Sequence, residues 1–341
     1  MATQSLAIKY RPKTWEDVVG QSSTKIILSQ QLKSGEIRHA YLFCGPAGCG
    51  KTTCARIFAN EVNHNSGTPI ELDAASHNGI DDVRELIQQA KTKSMNSEYK
   101  VFIVDECHAL SNSAWQAMLK IIEEPPAKSI FIFCTTDPQK IPKTIISRVQ
   151  RYDFKRVPTV DIVSRLSYVL DAEDSDMTWT NDVLQYIANL ADGGMRDALT
   201  LLDKCIAMTA HLSMESVIKA LGTADYDTMF ELIGYICEGK GLEAIELVEN
   251  LYAEGKDIKL FVKQFLQFLL DVMKYTLGVP LSCTMIPALK KFEEKLLSLS
   301  STDIESLYTT LEDMMKLNAD IKYSSVPKYD LEAVLLIEIG R

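Results

Sequence analysis

The chain has 341 residues, of which 46% are hydrophobic and 24% are charged, and its net charge is −10. This length allows two or three domains, and the composition is that of an ordinary globular protein. No run of eighteen apolar residues is present, and the N-terminus lacks the apolar core of a secretory signal, so we expect an intracellular protein without a membrane partner.

Four short apolar runs bounded by turn residues predict buried strands between residues 40 and 156. The runs occupy 40–45, 69–73, 100–106 and 129–136. Helical patterns lie between them over 79–90 and 113–124; Ser111 or Ser113 is the expected cap of the second, and Pro125 and Pro126 end it. Alternating strands and helices favour a doubly wound α/β domain with a parallel sheet.

Strand patterns stop after about residue 157, and apolar residues then recur at helical spacing to the end of the chain. We predict helical segments over 157–221 and 222–341, with boundaries uncertain by several residues.

The net charge differs between the part of the chain with predicted strands and the helical remainder. Residues 1–156 carry 20 Lys and Arg against 16 Asp and Glu, a net charge of +4, and the remainder carries 16 against 30, a net charge of −14. The first part could face phosphates and the second protein or solvent, although a chance fluctuation explains the asymmetry equally well.

A phosphate-binding loop is predicted where the first apolar run ends. Residues 45–52 fit the pattern G-x-x-x-x-G-K-[ST], between a predicted strand and a predicted helix. Its backbone N–H groups and the helix N-terminus suit phosphates, Lys51 would reach the β- and γ-phosphates, and Thr52 would bind Mg²⁺. The nucleotide-binding residues predicted here are Gly45, Pro46, Ala47, Gly48, Cys49, Gly50, Lys51, Thr52 and Thr53.

Two carboxylates, Asp105 and Glu106, follow the apolar run that begins at residue 100. The first can hold the Mg²⁺ shell and the second can orient or deprotonate an attacking water. Thr135 and Thr136 end the next run, where a hydroxyl could touch the γ-phosphate or the water. His108 also lies near the acids, but a single histidine there is more often structural, and it receives no role.

Together these segments resemble the ATPase subunits of AAA+ clamp loaders, and within them the bacterial DNA polymerase III gamma/tau subunits. The resemblance covers nearly the whole chain. The matching segments are residues 10–21, GPAGCGKT, 71–86, VFIVDECHALS, 114–126, 134–156, GGMRDALTLLD and 319–336. It implies an AAA+ ATP-binding core over 1–156, a helical lid over 157–221 and a helical collar for oligomerisation over 222–341.

The resemblance also implies further site residues. Those expected against the adenine are Arg11, Pro12, Val18 and Val19. Thr136 would be a first sensor of the nucleotide, and Arg196 would be a second sensor that also contacts it. Arg148 would be an arginine finger acting on ATP in the neighbouring subunit, where such a residue can raise the rate by about 10³–10⁵-fold.

By this resemblance the chain is an ATPase that uses ATP and Mg²⁺ to open a sliding clamp, load it onto primer-template DNA and release it during replication. Its expected partners are the clamp, primer-template DNA and other loader subunits in a homo- or hetero-oligomeric ring, which we expect to be pentameric. Its expected location is the bacterial cytoplasm, or the host cytoplasm if a phage encodes it.

The sequence departs from the family pattern in three places. EVNHNSGT stands where the family inserts a four-cysteine zinc module. The eight cysteines form no CxxC pair, so no zinc is expected and core positions are the predicted role. Val149 replaces a cysteine that usually follows the finger, and the long C-terminal tail of the longer family form is not expected.

Two other functions stay open from the sequence. The first is another AAA+ DNA-remodelling motor, although no C-terminal winged helix is apparent. The second is a scaffold subunit that binds nucleotide without turnover. Candidates for contacts with DNA are Arg84 and Lys120, whereas Leu110 and Trp115 are equally compatible with contacts to the clamp and with burial in the core.

Overall fold

The computed structural model describes residues 4–92, 96–173, 176–279, 293–297 and 301–340. By their internal packing the residues divide into two compact units, Met1–Ser175 with Ala191–Asp203, and Asp176–Leu190 with Lys204–Arg341. No helix in the described ranges is both long and apolar enough to cross a membrane.

The first unit is built on a five-stranded parallel sheet in the order β2-β3-β4-β1-β5. Its strands are β1 (Ala40–Cys44), β2 (Ile70–Asp73), β3 (Lys100–Asp105), β4 (Ser129–Thr135) and β5 (Gln150–Asp153). Every residue of β1 and β4 is buried, because helices cover both faces of the sheet. The predicted α/β fold is therefore confirmed.

Helices connect and flank these strands. Those of the first unit are α1 (Leu6–Lys9), α2 (Ser22–Ser34), α3 (Lys51–Val62), α4 (Ile80–Lys91), α5 (Asn112–Glu123), α6 (Lys143–Ile146) and α7 (Thr159–Glu173). Ser111 caps α5 by accepting a hydrogen bond from the backbone N–H of Ala114, as predicted for one of the two candidate serines. α9 (Met195–Met208) begins in the same unit.

Two apolar clusters sandwich the sheet. On one side Phe102 and Phe131 of the sheet pack with α4 and with Trp115 of α5, and on the other side Phe43 of the sheet packs with Phe58 of α3. Because the strands are parallel, the carboxyl ends of β1, β3 and β4 lie at one edge of the sheet.

The second unit is mainly helical. Its elements are α8 (Asn181–Leu190), α10 (Met214–Leu221), α11 (Tyr226–Cys237), α12 (Gly241–Ala253), α13 (Ile258–Thr276), α14 (Glu293–Leu297), α15 (Ser301–Asp320) and α16 (Pro327–Ile339). α13 supplies much of its core, including the buried Phe261, Phe265 and Phe268. Two two-residue parallel strands, β6 (Thr178–Trp179) and β7 (His211–Leu212), interrupt the region predicted to be purely helical.

Candidate active site

The loop after β1 contains two glycines that leave no room for a side chain. Gly48 has φ +70°, and a Cβ on it would lie 3.0 Å from Cα of Gly194. At Gly45 an added Cβ would lie 2.5 Å from the carbonyl oxygen of Phe154. A side chain at either position would therefore strain or displace the surrounding backbone. The loop then feeds directly into the N-terminus of α3 at Lys51.

Lys51 is buried within the curve of this loop, with 5% of its surface exposed. Its Nζ donates hydrogen bonds to the backbone carbonyl oxygens of Gly45 and Pro46, each at 2.9 Å. A buried ammonium needs such partners, because burial without them is costly. The ammonium is therefore held at the loop, where phosphate oxygens could replace the two carbonyl oxygens as acceptors of its hydrogen bonds.

Thr52 and Asp105 bring two oxygen ligands together beside Lys51. The Thr52 hydroxyl donates to Oδ2 of Asp105 at 2.7 Å, and Oδ1 of Asp105 accepts the backbone N–H of Glu106 at 3.0 Å. A hydroxyl and a carboxylate are hard oxygen donors, which Mg²⁺ prefers. The donor set of this pair thus fits the metal predicted from the sequence.

Glu106 lies one residue beyond the end of β3, with the left-handed backbone conformation φ +44°. Its Oε2 accepts hydrogen bonds from the Thr136 hydroxyl at 2.8 Å and from the Thr136 backbone N–H at 3.3 Å. Thr136 lies just past the end of β4, the parallel neighbour of β3. The adjacent strand ends therefore bring the predicted acid and the predicted sensor into direct contact.

A cavity of about 280 Å³ opens beside these residues. It is lined by the predicted residues Arg11, Pro12, Val18, Val19, Ala47, Gly48, Cys49, Gly50, Lys51, Thr52, Thr53, Asp105, Glu106 and Arg196. Burial, together with the nearby Arg56 and Arg196, lowers the pKa of Arg11 below its ordinary value. Cationic side chains gathered around one cavity favour a polyanionic ligand.

Three predicted residues line a different opening. Gly45, Pro46 and Thr136 border a second cavity of about 650 Å³, which Phe154 and Arg156 also line. The 280 Å³ cavity is also lined by residues that were not predicted from the sequence, among them Tyr10 and Arg165. Arg165 donates to the backbone carbonyl oxygen of Tyr10 at 3.1 Å. It lies in an ordinary amphipathic helix, so the sequence carries no signal for this position.

Arg148 follows α6, and its guanidinium is turned to its own chain's α5. Its Nε lies 2.8 Å from Oε1 of Glu123, and its Nη1 donates to the backbone carbonyl oxygen of Thr144 at 2.8 Å. Both charged side chains are about two-fifths exposed, at 39% for Arg148 and 43% for Glu123. The guanidinium is thus accessible from outside the chain, as a residue acting on a neighbour requires.

The remaining candidates have less specific surroundings. Leu110 and Trp115 are buried in the core between α5 and the sheet, which favours the packing alternative over contacts with a clamp. Arg84 is exposed and pairs with Asp81 at 2.9 Å, and Lys120 is exposed on α5.

The cysteines in the described ranges are all unpaired, and Cys283 lies outside those ranges. Burial raises the pKa of the Cys44 thiol to about 11 and that of Cys54 to about 12, which disfavours the reactive thiolate. Across the part of the chain that the structure describes, no group of three or more His, Cys, Asp and Glu side chains could hold a metal ion.

Three protein-family models match successive parts of the chain. They are "DNA polymerase III, delta subunit" over residues 63–158, "DNA polymerase III clamp loader subunit, ATPase lid domain" over 161–211, and "DNA polymerase III subunits gamma and tau domain III" over 212–338.

Curated relatives extend the match across almost the whole chain. The DNA polymerase III subunit tau of Bacillus subtilis is 34% identical over 98% of this chain and 63% of its own length. The Escherichia coli subunit tau is 34% identical over 91% of this chain and 52% of its own length. The chain therefore spans between about half and two thirds of these relatives.

Solved structures reproduce the fold at low sequence identity. The Thermotoga maritima RuvB Holliday junction branch migration motor superposes with a TM-score of 0.53 and 20% identity, over 67% of this chain and 80% of that chain. A single-residue variant of the same RuvB protein gives a TM-score of 0.54 at 19% identity, over 75% of this chain and 90% of that chain. These likenesses concern the fold alone.

Proposed function

We infer from these matches that the chain belongs to the DNA polymerase III gamma/tau family of clamp-loader subunits, and from this premise we propose that it is an ATP-hydrolysing subunit of a sliding-clamp loader. ATP binding would set the shape of a ring that opens the clamp on primer-template DNA, and hydrolysis would release it. The proposed partners are the clamp, primed DNA and companion loader subunits, in a five-membered ring in the cytoplasm.

One observation carries the proposal of hydrolysis. The ends of β3 and β4 and the loop after β1 bring Lys51, Thr52, Asp105, Glu106 and Thr136 together, with contacts of 2.7 Å between Thr52 and Asp105 and 2.8 Å between Thr136 and Glu106. A scaffold that only binds nucleotide needs the loop and the lysine. It does not need a carboxylate held next to them, so this arrangement supports turnover.

The residues would divide the reaction among them. Backbone N–H groups of the loop and the Lys51 ammonium bind the phosphates and balance charge that develops on their oxygens. Thr52 and Asp105 would hold Mg²⁺, which supplies further neutralisation of the β- and γ-phosphate charge when bound. Glu106 accepts a hydrogen bond from the attacking water and orients it toward the γ-phosphorus.

Two arginines would make hydrolysis depend on assembly and on nucleotide state. Arg148, exposed beyond α6, would reach the γ-phosphate bound by a neighbouring subunit and stabilise its transition state. Arg196, at the start of α9 and on the wall of the 280 Å³ cavity, would contact the phosphates of its own nucleotide. The wall formed by Arg11, Pro12, Val18 and Val19 would take the adenine.

The experiment is steady-state ATP hydrolysis by the purified chain, alone, with primed DNA, and with clamp and companion subunits. Lys51→Ala is the control that removes the phosphate-binding ammonium. We expect synergistic stimulation by clamp and primed DNA together, and no turnover above background in Lys51→Ala.

Other outcomes would reject the proposal in distinct ways. Robust turnover that ignores the clamp would indicate a different AAA+ DNA motor. ATP binding without turnover under any condition, in a complex shown by native mass spectrometry to contain every companion subunit, would indicate a scaffold subunit.

A further inference from the structure

The 3₁₀ turn that follows Glu106 places His108 beside the acid. The turn spans Cys107–Ala109, and Nδ1 of His108 lies 3.3 Å from Oε2 of Glu106. The same nitrogen lies 3.2 Å from Oγ1 of Thr135. The His108 side chain is only 21% exposed, so water competes weakly for these contacts.

The contacts of Nδ1 indicate where the imidazole proton resides. A lone pair on Nδ1 would face the lone pairs of the Glu106 carboxylate and repel them, whereas an N–H at this position is attracted to them. Oγ1 of Thr135 accepts a hydrogen bond from the backbone N–H of Asp137 at 3.0 Å. Its second lone pair can accept from an N–H at Nδ1 of His108. The Thr135 hydroxyl is compatible with either tautomer, so the Glu106 carboxylate is the neighbour that favours an N–H at Nδ1.

We propose that His108 is a positioning residue for Glu106: an N–H at Nδ1 attracts Oε2, the same oxygen that accepts from the Thr136 hydroxyl. The inference rests on the proposed ATP hydrolysis at this site. Donors from two separate segments, the turn after β3 and the end of β4, then hold one carboxylate oxygen. Oε1 is left to accept from the attacking water.

Fixing one oxygen has a chemical consequence. A carboxylate held by Thr136 alone can swing about its side-chain torsions, and a water bound to it swings as well. A second anchor narrows the positions of Oε1 and therefore those of the water, and small misplacements of reacting groups carry large rate penalties. His108 would thus act through Glu106 without touching ATP.

The first test compares His108→Ala with His108→Asn. The Asn side-chain NH₂ lies close to the position of Nδ1 and can donate the same hydrogen bond. We expect His108→Ala to lower kcat by about tenfold, the size of effect that loss of one hydrogen bond to a charged group gives. ATP affinity should stay within about twofold, and His108→Asn should recover most of the rate. Equal losses in both variants, or a loss of ATP affinity parallel to that of kcat, would overturn the proposal.

A double-mutant cycle tests whether His108 acts through Glu106. In a Glu106→Gln background, measured by single-turnover hydrolysis, His108→Ala should cause less than about a twofold further loss. Independent, multiplying losses would show that His108 acts elsewhere and would contradict the inference.

A measurement without turnover separates this inference from the proposed function. If Lys51→Ala hydrolyses ATP as fast as the unaltered chain, hydrolysis at this site is rejected, and ¹⁵N-histidine NMR still tests the geometry. His108 should carry its proton on Nδ1, and Glu106→Ala should shift that nitrogen signal. His39, which contacts the carbonyl oxygen of Ile122 at 3.0 Å, is the internal control and should not respond. An unprotonated Nδ1, or a His108 signal indifferent to Glu106→Ala, would overturn the positioning role.

Discussion

The hydroxyl of Thr52 and the carboxylate of Asp105 meet at 2.7 Å, although they are 53 residues apart in sequence. If they hold Mg²⁺ together, removing the hydroxyl should remove the metal's help in binding ATP. We predict that Thr52→Val lowers ATP affinity in Mg²⁺ by about tenfold, as loss of a ligand to a charged group does. Thr52→Ser, which keeps the oxygen, should bind almost as the unaltered chain does.

Isothermal titration with Mg²⁺ and with EDTA provides the readout. Magnesium should strengthen ATP binding to the unaltered chain and to Thr52→Ser, and should have little effect on Thr52→Val. An equal gain from magnesium in all three proteins would remove Thr52 from the metal site.

Gly48 combines a left-handed backbone with close contact, and Gly35 offers a matched comparison. Both have φ near +70°, but a Cβ at Gly35 would meet no atom within 4 Å. We predict that Gly48→Ala lowers ATP affinity by more than about tenfold and that Gly35→Ala leaves it unchanged. Each should lower the free energy of unfolding by about 1 kcal/mol from backbone strain. Urea unfolding and ATP titration measure the two effects; equal ATP affinities in both variants would contradict the role of the contact.

Sequence patterns were sufficient to group Lys51 and Thr52 with Asp105 and Glu106, because the first two end a glycine-rich loop between a strand and a helix and the two acids end a later apolar strand. Contacts between strand ends were harder to foresee. His108 and Thr135 are 27 residues apart, and their 3.2 Å contact depends on the register of β3 and β4. The sequence of one chain indicates the register of two strands only indirectly, through the pattern of apolar residues.

At the scale of elements, a strand was predictable when both of its faces are buried. β1 and β4 read as continuous apolar runs for this reason. β5, with the sequence QRYD, was missed because Tyr152 alone among its four residues is buried, as suits the edge of a sheet. α2 was also missed, because its Ile26 and Ile27 are exposed while Leu28 packs inward.

The helix that supplies much of the second unit's core, α13, should depend on its first turn. Asp257 caps α13, and its Oδ1 accepts the backbone N–H groups of Lys259 and Leu260 at 2.9 and 3.2 Å. We predict that Asp257→Ala lowers the free energy of unfolding by about 1 kcal/mol. Asp257→Asn keeps the acceptor and should cost only a fraction of that. Chemical denaturation of the full chain measures both, and identical losses would show that the cap does not stabilise α13.

At the scale of the whole molecule, the proposed role of Arg148 as an arginine finger acting on a neighbouring subunit predicts complementation between two inactive variants. Lys51→Ala chains would keep the finger but lose nucleotide, and Arg148→Ala chains would bind ATP without supplying a finger. We predict that each variant alone is inactive in the assembled loader and that a mixture regains a measurable fraction of the hydrolysis rate. Hydrolysis would occur where a Lys51→Ala chain presents Arg148 to the ATP of an Arg148→Ala chain.

In the matched control, the Lys51→Ala chain is replaced by a chain that carries both Lys51→Ala and Arg148→Ala. That mixture should stay inactive, because no chain in it offers a finger. Activity in the control, or none in the first mixture despite confirmed co-assembly, would argue that Arg148 does not act across subunits.

The left-handed backbone of Glu106 carries a consequence for the balance between stability and activity. A non-glycine residue at φ +44° is held against its own preference by about 1–2 kcal/mol. Glu106→Gly and Glu106→Ala both delete the carboxylate and should both abolish hydrolysis, but glycine alone relieves the strain. We predict that Glu106→Gly is the more stable of the two by about 1 kcal/mol.

At Glu124, where φ is −123°, the order should reverse, because glycine there gains flexibility in the unfolded chain without relieving strain. Thermal unfolding of the four variants gives the comparison. The same order at both positions would mean that Glu106 is not strained. The predicted reversal would mean that this chain maintains the acid proposed to orient the attacking water at the expense of its own stability, so selection for stability alone would erode the site.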